Sequence, residues 1–211
     1  MSPWLSHADP DLASSDDLAV ARAIVDSSLA SDPEVHHHRQ RMLDFIDAHP
    51  DALHRTCLDG HLTGSALVVD EATEQILVLF HRKLQRWLQP GGHADGDANL
   101  AAVALREATE ETGIDGLRID PVPIDLDIHR VAPPGEPAHD HLDARYLVVA
   151  PSHAAATRNH ESEALRWVGR DELGSLDVDA GMMRMARAGI ERLRLWRGHD
   201  GAAVMRSPTE G

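Results

Sequence analysis

Three carboxylates share one helical turn in LQPGGHADGDANLAAVALREATEETGI, residues 88–114, where Glu107, Glu110 and Glu111 stand between a Gly91-Gly92 pair and Gly113. Like charges at i,i+3 and i,i+4 cost about 0.2–0.5 kcal/mol each on an isolated helix, and Glu110 and Glu111 also meet the negative end of the helix dipole. Arg106 offsets part of this by reaching Glu110 at i,i+4. Water on a solvated face or a bound cation must take up the remainder. For a cation, three hard oxygen ligands on one turn suit Mg2+ or Mn2+, which accept carboxylates and keep waters for a phosphate-bearing substrate.

A helix from about Ala98 to Thr112 has to carry these groups, with Asp97 as its N-cap and Gly113 just past its end. On it Ala101, Leu105, Ala108 and Thr112 share a narrow packing arc, and the glutamates gather on roughly the opposite side. Upstream, HLTGSALVVD and QILVLFHR are β-type runs joined by the polar EATE, a hairpin pattern. Further strands are expected at residues 117–119, 124–131, 145–150 and 165–168, with a surface loop at APPGEPAHDH. Two helices precede the strands, one capped by Asp16 or Asp17 and one opened by Pro33. A last helix over residues 179–197 places Met182, Met185, Ala186, Ile190, Leu193 and Trp196 on one stripe, suited to a core or a dimer surface. Residues 1 to about 15 and the tail GHDGAAVMRSPTEG have the composition of loose ends.

Gly92, thirteen further residues and then Arg106-Glu107-Ala108-Thr109-Glu110-Glu111-Thr112-Gly113-Ile114 form a loop, helix and loop that resembles the Nudix box, G-x5-E-x7-R-E-U-x-E-E-x-G-U. The resemblance extends over about residues 60–197 through WLQPGG and ESEALRWVGRDEL. It implies an α/β/α sandwich with a mixed β-sheet, here preceded by an N-terminal helical extension, with domain limits at 1–57, 58–197 and 198–211. It also implies hydrolysis of a nucleoside diphosphate linked to another moiety, with divalent cations. Glu107 and Glu111 would be the principal metal ligands and Glu110 a further ligand or water-orienting group. The Gly92 carbonyl would complete the inner shell, and Arg106 would hold a carboxylate in place. The cations would clamp the diphosphate and lower the pKa of a bound water for in-line attack. One box position departs from the pattern: Ala98 stands where the family has the first glutamate. Asp97, one residue earlier, either takes over its role or simply caps the helix.

Other residues are candidates for the substrate. His93 follows Gly92, and His139, His141, Asp143 and Arg145 alternate, so they share one strand face if a strand begins that early. That face would line a cleft and bind phosphate or a further cation, or it is a polar loop-to-strand junction. Arg82 and Lys83 close the second strand near Trp87, placed for substrate phosphates and a base or for a solvated strand end. His93, His141, Arg145 and Arg82 are thus the expected substrate-binding residues. Glu161 or Glu163 would serve as a catalytic base outside the box. The consecutive His36, His37 and His38 point around a helix and do not converge.

The 211 residues, 42% apolar and 26% charged, support a sizeable core. A formal charge of −15 argues against general nucleic-acid binding, which draws on clustered Lys and Arg. A single cysteine, Cys57, allows no intrachain disulfide. With no signal-peptide pattern and no membrane-length apolar run, a cytoplasmic protein is expected, acting on a small-molecule nucleotide or other diphosphate with Mg2+ or Mn2+. Apolar surface on the N-terminal hairpin and last helix leaves a homodimer open. Alternatives are a nucleotide-binding module without turnover, favoured by Ala98, and a diphosphate isomerase of the same fold, for which Cys57 lies too early.

Overall fold

The computed structural model describes residues 4–29, 32–132, 135, 137–160 and 162–204, with side chains as far as residue 198. Its strands are β1 (Gly60–Asp70), β2 (Ile76–His81), β3 (Arg86–Leu88), β4 (Gly91–His93), β5 (Arg118–Ile119), β6 (Asp125–Val131), β7 (His139–Ala150) and β8 (Ser162–Val168). They form one mixed sheet. β1 is buried along its whole length, as its run of apolar and small residues requires of a strand covered on both faces. It lies parallel to β7 from Gly60↔Asp140 to Asp70↔Ala150 and antiparallel to β2 and β4. β2 also pairs with β3 and β8, and β7 with β5 and β6.

Helices cover both faces: α1 (Leu18–Asp26), α2 (Pro33–Ala48) and α3 (Leu100–Thr112) on one, α5 (Ala180–Val204) on the other, with the short α4 (Arg170–Leu173) before it. On the first face Val25, Met42, Ile46, Leu62, Val68, Leu105 and Tyr146 belong to one core. The N-terminal helices therefore build the same core as the sheet. On the second face Leu67, Val69, Leu147 and Val149 meet Met182, Met185, Ile190 and Leu193, so the methionine stripe of α5 is core. Its Trp196 donates its ring N–H to Asp120 at 3.0 Å. The result is an α/β/α sandwich.

Local signals act as expected at several ends. Asp17 caps α1, and Asp32 with Pro33 opens α2. Gly113 ends α3 in the left-handed region at φ 63°, where a side chain is strained. Other boundaries differ. α3 is capped by Asn99, whose side chain accepts from Ala102 N–H, so Asp97 is not the cap. β7 starts at His139, inside the expected loop, because it gains a full parallel ladder with β1. β3 and β4 lack the length and alternation that mark a strand in sequence.

The N-terminal segment is not loose over its described part. Leu5 bridges Ile119, a 3-10 turn spans Pro10–Leu12, and Leu12 is buried. At the other end α5 runs into the expected tail as far as Val204, and residues 205–211 lie outside the described residues.

Candidate active site

β4 is three residues long, and the alternation of a strand gives its two faces different tasks. Gly92 faces α3. A Cβ there would stand 2.5 Å from the Glu107 carboxyl carbon, so only glycine leaves room for that carboxylate against the backbone. The Gly91 N–H donates to Glu111 Oε2 at 2.9 Å. Arg106 donates to Glu107 Oε1 at 3.0 Å and to the His93 carbonyl at 3.3 Å. One guanidinium thus ties the helix carboxylate to the strand, in place of the expected pairing with Glu110. Glu111 is 7% exposed and Glu110 is exposed, so the two adjacent acids sit on opposite sides of the solvent boundary. Helix α3 can come this close because Gly64 of β1 lies beneath it, where a Cβ would meet the Leu100 carbonyl oxygen at 2.7 Å. These hard carboxylate oxygens, facing a glycine backbone with no side chain between, fit a Mg2+ or Mn2+ donor set.

His93 points to the other face of β4. There its ring centroid lies 4.9 Å from His61 and 5.0 Å from His141, and His61 lies 4.7 Å from His139. Burial, then the Arg55 charge and neighbouring imidazoles, push His93 down to about 4. Burial, then the surrounding histidines, push His141 down to about 2, and His61 is lowered by burial and His139. These rings are neutral at pH 7. His129 differs: burial lowers it, but its hydrogen bond to Asp127 together with the Asp143 and Asp127 charges raises it. Farther along the same face, Asp143 accepts from Thr63 and Ser65, each at 2.9 Å, and from Arg145 Nε at 2.8 Å.

A family model of the NUDIX domain matches residues 61–188. The chain belongs to the Nudix family. No curated protein sequence matches it. Among solved structures it is similar to a C. elegans Ap4A hydrolase, with 17% identity and a TM-score of 0.52 over 63% of this chain and 97% of that one. It is also similar to the E. coli dihydroneopterin triphosphate pyrophosphohydrolase, with 15% identity and a TM-score of 0.51 over 62% and 95%. At such identities the likeness is one of fold.

Where the Nudix box has its first glutamate, the N-terminal segment packs over the start of α3. Ala98 is fully buried and its N–H donates to the Ser15 carbonyl at 2.6 Å. Asp97 Oδ1 accepts from the N–H groups of Ser15 and Asn99, at 3.2 and 2.9 Å. Asn99 Nδ2 donates to the Asp11 and Ala13 carbonyls. Asp97 therefore neither caps α3 nor replaces the glutamate beside Arg106; it clasps the segment that covers the helix start.

Arg145, expected to meet substrate, is corrected by its burial. Its side chain is 4% exposed and bonds Asp125, Asp127 and Asp143, while Arg184 of α5 bonds the same Asp125 and Asp127. Three carboxylates and two guanidiniums pair there, so each nitrogen of the Arg145 guanidinium is already bonded to an aspartate, out of contact with solvent. Arg82 lies exposed in the turn between β2 and β3. Trp87 packs edge-on to Phe80 at 5.3 Å. Glu163 is exposed on β8 and accepts from Gln85 at 3.2 Å, and Glu161 lies outside the described residues. Cys57 is buried, outside the matched domain, and burial pushes its thiol up. Sequence reasoning missed His61 and Asn99. His61 joins the other histidines only through the β1–β7 ladder, in which it stands beside His141. The polar alternation His61, Thr63, Ser65 was the available signal.

Proposed function

We propose that this Nudix protein hydrolyses a phosphoanhydride bond in a nucleoside diphosphate-linked small molecule, using a water activated by Mg2+ or Mn2+. The observation that carries this is the convergence of Glu107 and Glu111 on the Gly91-Gly92 backbone. Divalent cations held there would screen the diphosphate and lower the pKa of a bound water. Glu107, Glu111 and the Gly92 carbonyl are the proposed metal ligands, with the exposed Glu110 as a further ligand or water-orienting group. Arg106 keeps the Glu107 carboxylate turned toward β4. His93 and His141 on the adjoining sheet face, with Arg82 from the β2–β3 turn, are assigned to the rest of the substrate. Glu163 is the described candidate for a base outside the box.

A binding module without turnover is the second reading, and Ala98 favours it, because no carboxylate stands behind Arg106 at that position. A panel of nucleotide sugars, ADP-ribose, dinucleoside polyphosphates and nucleoside triphosphates with Mg2+ and Mn2+ separates the two. We expect metal-dependent release of a mononucleotide or phosphate from at least one member, falling by about 100-fold or more in Glu111→Gln, the scale of losing one preorganised electrostatic group. Binding of a panel member without cleavage would select the module, and equal cleavage in both proteins would sink the assignment of Glu111.

A further inference from the structure

The histidine face carries more than the hydrolase site needs. His61, His139 and His141 each offer a ring nitrogen, and these atoms lie within 4.8 Å of one another. They come from neighbouring strands: His61 pairs with His141 across the β1–β7 ladder, and His139 lies two residues earlier on the same face of β7. His61 is 3% exposed and His139 6%. Nε2 of His141 is buried without a hydrogen-bond partner, and the buried ring nitrogens of His61 have none beyond the influence of the Cys57 backbone. Leaving such groups unpaired costs roughly 1–3 kcal/mol each, so a buried cluster of rings with unpaired nitrogens on His61 and His141 needs an explanation. His139 Nδ1 stands 2.9 Å from the Pro137 carbonyl. That contact makes Nδ1 the protonated nitrogen and directs the Nε2 lone pair away from it, the outer support common among metal-bound imidazoles.

We propose that His61, His139 and His141 form a three-imidazole site for a transition-metal dication of the zinc class, separate from the carboxylate site across β4. The donor set selects the metal. Neutral imidazole suits zinc and its borderline neighbours, whereas Mg2+ takes hard oxygens, so the two faces of β4 would hold different ions. With zinc–nitrogen bonds of about 2.0–2.1 Å, ligand nitrogens of a tetrahedral site stand about 3.4 Å apart, which small ring rotations reach from the present spacing. One cation can take a lone pair from each of the three rings. The fourth position is left for water or a substrate oxygen beside His93, and contact of His141 with substrate would then run through it. The site does not depend on whether the carboxylates cleave anything.

Untagged protein, stripped with chelator and titrated with Co2+ and then Zn2+, tests this. We expect one equivalent of Co2+ to give the intense visible absorption of a low-coordinate imidazole site, displaced by Zn2+. The band should persist in the Glu107→Gln/Glu111→Gln double variant. In His61→Ala and His141→Ala it should vanish, with zinc affinity down by more than about 100-fold, beyond the 10–100-fold that outer partners of a metal carry. If either histidine variant fails to fold by circular dichroism, long-range 15N–1H spectra of the wild type decide: zinc must move the ring signals of His61, His139 and His141 and spare those of His36 and His37. A wild type that gives no such band, a band equally strong without His61 or His141, or zinc signals confined to other histidines would overturn the proposal.

Discussion

Gly92 and Gly64 are both glycines against α3, yet a methyl group would do different things at each. At Gly92 it would strike the far end of a flexible side chain, the Glu107 carboxylate, 2.5 Å away. At Gly64 it would strike backbone, the Leu100 carbonyl at 2.7 Å and the Ala104 nitrogen at 3.1 Å. Gly92→Ala should therefore leave the melting temperature nearly unchanged while displacing a metal ligand and lowering turnover by about 10–100-fold, since a misplacement of about 1 Å costs that order. Gly64→Ala should lift the helix and cost stability, about 1–3 kcal/mol, as overpacking does. Thermal melts beside initial rates check both. A Gly92→Ala protein of normal rate would mean that Glu107 does not need that position.

At the scale of elements, two short connections hold the site in place. The start of α3 depends on Asn99, which uses its oxygen as the cap and its amide to hold the Asp11 and Ala13 carbonyls. Asn99→Asp keeps a capping oxygen and loses both donors; Asn99→Ala loses cap and donors together. Denaturant unfolding should rank wild type above Asp above Ala, with the cap contributing about 1 kcal/mol. Equal loss in the two variants would leave the cap without a role. The β1–β2 turn depends on Asp70. Its burial alone would raise the carboxyl, but the backbone N–H groups of Thr73, His153 and Ala72 outweigh that and hold it below the usual carboxylate range. A depressed folded pKa contributes stability that is present above the unfolded value, about 4, and is lost as pH falls through the folded one. Asp70→Asn turns an amide N–H against a backbone N–H. It should destabilise the protein by roughly 1–3 kcal/mol at pH 7, with the gap narrowing below about pH 4. Melts at the two pH values give the comparison, and a gap independent of pH would show that the charge of Asp70 contributes nothing.

For the whole molecule, the buried ions join what the sequence keeps apart. Arg184 of α5 reaches Asp125 and Asp127 of β6 and also Glu34 of α2, while Arg145 of β7 closes the same network. The α/β/α sandwich, the β1–β2 hairpin and the glutamate helix were legible because they rest on local period, caps and one long motif. Arg145 was misread because alternation places it on the right strand face but cannot show that Arg184 and three aspartates close over that end. His61 was missed for a related reason, since a parallel pairing of β1 with β7 leaves no mark in either segment alone. The docked N-terminal segment was hidden by its composition: Pro10 and its aspartates read as a loose end, although the Asp11 and Ala13 carbonyls and the buried Leu12 tie it to Asn99 and the core.

Hydrolysis at the carboxylate site is tested most directly by cleavage in 18O-labelled water, with the preferred substrate, Mg2+, wild type and Glu111→Gln. We expect one labelled oxygen on a phosphate of the products, formation that stops on removal of Mg2+ by chelator, and a rate lower by about 100-fold or more in the variant. Label incorporation at equal rates in the two proteins, or cleavage that continues without divalent cation, would contradict it.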